Sequence, residues 1–137
     1  MIDSAMALDL AGSPELEVHV ADVRPETLER LAARTGARGV RANLGDPEVV
    51  RRVVGDFDLV LGALPSGIGF QTLRAVLEAG RDYVDISFMP ERALDLDDLA
   101  RERGVTAVVD CGVAPGVSNM MAGFGAARLD RGERMEI

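Results

Sequence analysis

Asp58-Leu59-Val60-Leu61-Gly62-Ala63 is a nearly continuous apolar run. Such a run reads as a buried strand of a parallel sheet, apolar on both faces. The residues after it give it context. Ser66 can cap a helix that carries Phe70, Leu73, Val76 and Leu77 and stops at Gly80. Tyr83-Val84-Asp85-Ile86-Ser87 is then a second strand. Strand, helix, strand in this order makes a βαβ unit, whose crossover is right-handed.

The same alternation continues on both sides. Downstream, Asp95 caps a helix through Leu96, Leu99 and Ala100, stopped by Gly104. Val105-Thr106-Ala107-Val108-Val109 is a further strand, and a last helix with Met121, Phe124 and Ala127 runs from about Ser118 to Leu129. Upstream, Asp46 is an N-cap before an N1 proline, Pro47, and Val49, Val50, Val53 and Val54 line one helical face. Gly39-Val40-Arg41-Ala42-Asn43 is a short strand. Pro25 opens a helix with Leu28, Leu31 and Ala32 in its apolar stripe and Gly36 at its end, and Leu16-Glu17-Val18-His19-Val20-Ala21 is the first visible strand. Repeated βα units predict an α/β fold, a doubly wound parallel sheet of the Rossmann-like kind.

Both ends depart from that pattern. Ile2, Ala5, Met6, Asp9 and Leu10 form a helical pattern with no strand before it. A doubly wound sheet opens with a central strand and a glycine-rich turn into the first helix. The expectation is therefore a sheet lacking its first strand and glycine-rich loop. Arg134-Met135-Glu136-Ile137 reads as the start of a new strand. An unpaired sheet edge favours self-association.

Composition excludes several classes. The chain has 137 residues, enough for one core, and a net charge of −8 with acids and bases interspersed. No basic face is available to meet phosphates, which argues against nucleic acid. No stretch approaches the ~18 apolar residues of a membrane span. The N-terminus has no basic signal-peptide region. Cys111 is the single cysteine, so no internal disulfide is possible, and a reducing, cytoplasmic location is expected. All fifteen basic residues are arginine. A GC-rich coding sequence explains that simply, and it rules out any lysine acid, base or Schiff base.

Several residues could carry chemistry at the carboxyl ends of the strands, where such sheets bind ligands. Asp22, in Asp22-Val23-Arg24, stands where an acid accepts hydrogen bonds from the adenosine ribose and repels a 2′-phosphate. Arg24 could stack on adenine or pair with that phosphate. NAD or NADP is the expected cofactor, with NAD slightly favoured. Asp22 is equally a plain turn residue. Asn43-Leu44 follows the next strand, where adenine is flanked, although a plain helix cap at Asp46 explains that loop as well. Ala63-Leu64-Pro65 follows the apolar run, beside the cofactor's ribose and nicotinamide. Asp85 and Cys111 project toward the same edge, and a buried carboxylate near a thiol favours shifted titration. The plain alternatives are a strand-end aspartate bonded to backbone and a small buried thiol. His19, the sole histidine, alternates with Val18 and Val20 as an ordinary strand residue, and no metal site is expected. Asp95, Asp97 and Asp98 read as a cap and an acidic first turn.

With these segments placed, the chain resembles the saccharopine dehydrogenase-like NAD(P)-binding family, in particular its lysine 6-dehydrogenase-like members. The residues carrying the likeness are Ala21-Asp22, Phe57-Asp58-Leu59-Val60 leading into Ala63-Leu64-Pro65, Tyr83 to Phe88, and above all Cys111-Gly112-Val113-Ala114-Pro115-Gly116-Val117-Ser118-Asn119. The resemblance implies hydride transfer between a nicotinamide cofactor and the amine- or imine-bearing carbon of an amino-acid-type substrate. It implies that residues 1–132 are an incomplete NAD(P)-binding domain and that residues 133–137 begin a missing substrate or dimerisation domain. It further implies that Asp85 and Cys111 lie at the active site and tune it, and that the full-length protein is a homo-oligomer. The chain departs from the family in lacking G-x-G-x-x-G, and if Met1-Ile2 follow a Gly-x-Gly, Asp3 falls where the third glycine or alanine usually sits, an acid disfavoured beside a pyrophosphate. The chain by itself is expected to catalyse little. The alternatives are a non-catalytic dinucleotide-binding module and an inactive truncated fragment.

Overall fold

The computed structural model describes residues 2–134 and 136, without the side chains of Ile2 and Asp3. The strand expected at Arg134–Ile137 therefore lies partly outside the described residues. The elements are α1 (Ile2–Leu10), β1 (His19–Asp22), α2 (Pro25–Thr35), β2 (Arg38–Arg41), α3 (Pro47–Val54), β3 (Leu59–Gly62), α4 (Ser66–Glu78), β4 (Asp82–Asp85), a 3₁₀ turn (Ala93–Leu96), α5 (Asp97–Arg103), β5 (Ala107–Val108) and α6 (Val117–Ala126). The order is strand and helix in alternation, and every ladder is parallel. The α/β architecture matches the sequence reading.

The strands form two sheets, β1-β2 and β3-β4-β5, and no ladder joins β1 to β3 among the described residues. The amino ends of the two sheets meet where His19 packs edge-on against Phe57, ring centroids 4.9 Å apart. The split overturns one expectation. The apolar run at β3 was expected to be buried on both faces, yet Leu59 is 52% and Leu61 37% exposed. Burial of a parallel strand needs a neighbour on each edge and cover on each face, and among the described residues β3 pairs with β4 alone.

The main core lies on the three-stranded side. Val50 and Val54 of α3 pack with Leu73, Ala75, Val76 and Leu77 of α4, Tyr83 of β4 and Leu96 of the 3₁₀ turn. These valines are two of the four expected on the apolar face. The β1-β2 side is tied to α2 by close packing, since a side chain at Gly39 would meet the Leu28 Cβ at 3.0 Å.

Most helix boundaries follow local chemistry. Asp46 Oδ1 accepts the Glu48 N–H at 2.9 Å, an N-cap followed by Pro47 at N1. Gly36, Gly80 and Gly104 all have φ near +70°, the left-handed conformation glycine adopts after a helix. Two expected caps differ. Ser66 is the first helical residue rather than the cap, because the Pro65 carbonyl already accepts the Ile68 N–H at 3.0 Å. Asp95 sits inside the 3₁₀ turn, its carboxylate 4.0 Å from Arg92, and the helix it was expected to cap begins at Asp97.

Candidate functional site

Alternation along β4 and the two residues beyond it places Tyr83, Asp85 and Ser87 on one face. All three are buried, at 1%, 0% and 4% exposure, while Val84 and Ile86 between them are only half-buried. The polar residues thus face inward and the aliphatic ones outward, the reverse of an ordinary strand. Buried polar groups require partners, and the partners here organise the carboxyl edge of the sheet.

Asp85 Oδ1 accepts the Ser87 N–H at 2.8 Å, and Ser87 Oγ accepts the Leu64 N–H at 2.7 Å. The Ile86 N–H donates to the Gly62 carbonyl at 3.1 Å, and the Cys111 N–H donates to the Asp85 carbonyl at 3.1 Å. The β3–α4 loop and the β5–α6 loop are therefore both fastened to the end of β4. Asp85 Oδ2 and the Tyr83 hydroxyl are buried without a hydrogen-bond partner. Burial pushes the Tyr83 hydroxyl well above its ordinary value, and the neighbouring Asp85 charge adds to the shift; the two groups interact at close range without the alignment of a hydrogen bond.

The approach of β3 to this cluster depends on a glycine. A methyl group at Gly62 would overlap the Tyr83 hydroxyl and lie 2.5 Å from Asp85 Oδ1. The other tight glycine is Gly116, at φ +132°, where a methyl would lie 2.6 Å from the Asp110 carbonyl oxygen. Around it the loop folds back on itself: Val117 N–H donates to Gly112 O at 3.0 Å and Ser118 N–H to Val113 O at 2.9 Å. Asn119 Oδ1 accepts the Gly116 N–H at 3.2 Å and so caps α6 from within.

At the end of β1, Asp22 and Arg24 form a closed pair. Asp22 Oδ1 accepts the Arg24 backbone N–H at 2.8 Å and its Nε–H at 3.2 Å, and Oδ2 takes an Nη2–H at 3.1 Å. The Arg24 side-chain hydrogen bond is the main reason the Asp22 carboxyl is held below its ordinary value. Val23 between them is exposed. Asn43 is exposed and its Oδ1 accepts the Gly45 N–H at 3.1 Å, whereas Leu44 turns inward onto the main core. Ala63 and Leu64 are half-buried and Pro65 is exposed.

The structure joins Asp85 and Cys111, but through backbone. Cys111 is exposed, not a buried thiol, and its Sγ lies 3.6 Å from the Val109 carbonyl. Of the Asp85 carboxylate, Oδ1 is taken by the Ser87 amide and Oδ2 has no partner among the described residues. Ser87 and Tyr83 are the residues that sequence reading passed over. Their signal is the spacing Tyr83-x-Asp85-x-Ser87, which puts three polar groups on one strand face. Among the described residues, no cluster of three or more His, Cys, Asp or Glu side chains could hold a metal, and no helix is long and apolar enough to cross a membrane.

Comparison with known proteins gives the family and the fold. The family model described as the saccharopine dehydrogenase NADP binding domain matches residues 1–108, which stops just before the Cys111 loop. α-Aminoadipic semialdehyde synthase of Arabidopsis thaliana is 27% identical over 97 residues, 71% of this chain and 9% of that protein. Saccharopine dehydrogenase (NADP+, L-glutamate-forming) of Saccharomyces cerevisiae is 21% identical over 113 residues, 82% of this chain and 25% of that protein. Among solved structures, apo saccharopine dehydrogenase (L-Glu forming) from Saccharomyces cerevisiae superposes with a TM-score of 0.81 at 20% identity, covering 93% of this chain and 29% of that one. The WlbA dehydrogenase from Bordetella pertussis, in complex with NADH and UDP-GlcNAcA, gives 0.63 at 22% identity, covering 95% and 38%. These likenesses show a Rossmann-like fold. The chain spans between 9% and 26% of the length of the curated relatives it matches.

The slight preference for NAD drawn from Asp22 is corrected by these findings. The matched family binds NADP, and Arg24 lies on the very carboxylate that would have repelled a 2′-phosphate. With 79% of its length inside the family model (108 of 137 residues), the chain belongs to the saccharopine dehydrogenase NADP-binding domain family.

Proposed function

We propose that this chain holds NADP for an oxidoreductase that moves hydride to or from the amine- or imine-bearing carbon of an amino-acid-type substrate. The observation that carries the reading is the hub at the end of β4. Three hydrogen bonds, Leu64 to Ser87, Ile86 to Gly62 and Cys111 to Asp85, bring two loops side by side at the carboxyl edge of a parallel sheet. That edge is where doubly wound sheets receive a dinucleotide.

The residues present fit the cofactor at two places. Asp22 offers carboxylate oxygens for ribose hydroxyls, and the exposed Arg24 guanidinium offers charge-assisted hydrogen bonds to a 2′-phosphate. Ala63-Leu64-Pro65 offers a small, shaped backbone surface near the ribose and nicotinamide, with Asn43 beside the adenine end. Bound nicotinamide would supply or accept the hydride. Asp85 acts by fixing the loops around that position, and the exposed Cys111 stands at its rim. The longer protein would add the substrate-binding part and its own copies as partners, in a reducing compartment such as the cytoplasm.

The test is a titration of the purified chain with NADPH and NADH, followed by nicotinamide fluorescence, for wild type and Arg24→Ala. Saturable binding that favours NADPH, with the preference lost in Arg24→Ala, is the expected result. Equal affinity for both cofactors, unchanged by the substitution, would refute the NADP assignment. The hydride step is checked by absorbance with lysine or saccharopine as donor, using the longer protein that contains this domain. Dinucleotide binding without turnover there would favour a sensing module instead.

A further inference from the structure

We propose that Ser87 is a positioning residue that sets the conformation of the cofactor-side loop Ala63-Leu64-Pro65. The inference rests on the reading that this loop meets the dinucleotide.

The argument begins with an orphan donor. β3 ends at Gly62, so the Leu64 N–H has no strand partner. Pro65 lacks an N–H and disfavours helical conformation in the residue before it. The chain must therefore leave β3 extended, with a half-buried amide pointing at something other than a strand. A buried donor without an acceptor is costly. Ser87 Oγ supplies the acceptor at 2.7 Å, from the neighbouring strand's continuation.

The hydroxyl is itself held in place. Ser87 is 4% exposed, and its N–H is fixed at 2.8 Å on Oδ1 of an aspartate with no exposure at all. Asp85 is in turn anchored by its backbone, its carbonyl bonded to Cys111. The relay Asp85–Ser87–Leu64 is thus a side-chain latch across β3 and β4, placed just beyond the last paired residues of both strands, Gly62 and Asp85. Its effect is local: it orients one amide, Leu64, and with it the loop that leads into α4. Alanine keeps the backbone of residue 87 and its bond to Asp85 but removes the acceptor. Threonine keeps the acceptor.

The test measures amide hydrogen exchange at Leu64 in the whole chain without cofactor, together with NADPH affinity, for wild type, Ser87→Ala and Ser87→Thr. In Ser87→Ala the Leu64 amide should exchange about tenfold faster, the expected consequence of losing one hydrogen bond. Amides within β4 should keep their rates. NADPH should bind several-fold more weakly, and Ser87→Thr should restore both readouts. Unchanged Leu64 exchange in Ser87→Ala overturns the latch, and faster exchange with unchanged NADPH affinity overturns its role in positioning. If wild type binds no NADPH, the proposed function fails, and Leu64 exchange still decides the latch. Global loss of structure in Ser87→Ala with rescue by Ser87→Thr would assign Ser87 to the core and overturn the positioning role.

Discussion

Gly62 of β3 faces the Tyr83 hydroxyl of β4 with no room for a methyl group between them. The strand pairing and the inward turn of Tyr83 and Asp85 depend on that closeness. Gly62→Ala should therefore destabilise the chain by ~1–3 kcal/mol, the usual cost of overpacking. Adding Tyr83→Phe should recover part of the loss, because the hydroxyl is the nearest obstacle. Urea unfolding of the two variants measures both effects. A Gly62→Ala midpoint equal to wild type would contradict the packing described.

Tyr83 gives a prediction in alkali. Its folded-state pKa is raised, chiefly by burial, above the ordinary value of 10.0. The unfolded chain therefore loses the Tyr83 proton first as pH rises. The stability contributed by the neutral hydroxyl is fully present below pH 10.0 and declines above it, by up to ~1.4 kcal/mol per pH unit. Tyr83→Phe removes this slope. Because the hydroxyl has no hydrogen-bond partner, the substitution should cost little at neutral pH. Thermal unfolding between pH 8 and 11 distinguishes a shallower alkaline limb in Tyr83→Phe from an unchanged one.

Asp46→Ala should cost ~1 kcal/mol through loss of the α3 N-cap. The Asp46 carboxylate is exposed and is spent on the α3 N-terminus, so NADPH affinity should not change. A loss of binding without a loss of stability would mean that Asp46 serves the adenine end rather than the helix.

One edge of β3 has no partner strand among the described residues, Leu59 and Leu61 are exposed, and Met120, Met121 and Phe124 stand out on α6. Apolar surface of this kind promotes association. The mass measured by light scattering should rise with concentration, and Leu59→Lys should lower the rise. A constant monomer mass over the same range would show that these surfaces do not associate.

Much of the fold was legible because its signals are local. Asp46-Pro47 and the glycines at 36, 80 and 104 mark helix ends through backbone chemistry alone. The exposure of Leu59 was not legible, because burial depends on a neighbouring strand, which no local pattern reports. At the candidate site, Asp22, Arg24, Leu64, Asp85 and Cys111 were picked out by their expected places at or just after strand ends, and the structure puts them there. Ser87 was missed because its role is to complete the bonding of a residue 23 positions earlier. Cys111 was expected near a carboxylate, and it is joined to Asp85 by its amide while its thiol faces solvent.

The division into two sheets has a consequence for melting. The hydrophobic core cluster draws its buried residues from α3, α4, β4 and the 3₁₀ turn, and none from β1, α2 or β2 among the described residues. The β1–α2–β2 portion, which carries Asp22 and Arg24, contributes nothing to that cluster and should yield first on heating. A ligand that grips the ribose end then raises the first step of the melt, and one that grips only the loop beside β4 raises the second. The two halves of a dinucleotide would thus be weighed separately by one protein in a single heating curve.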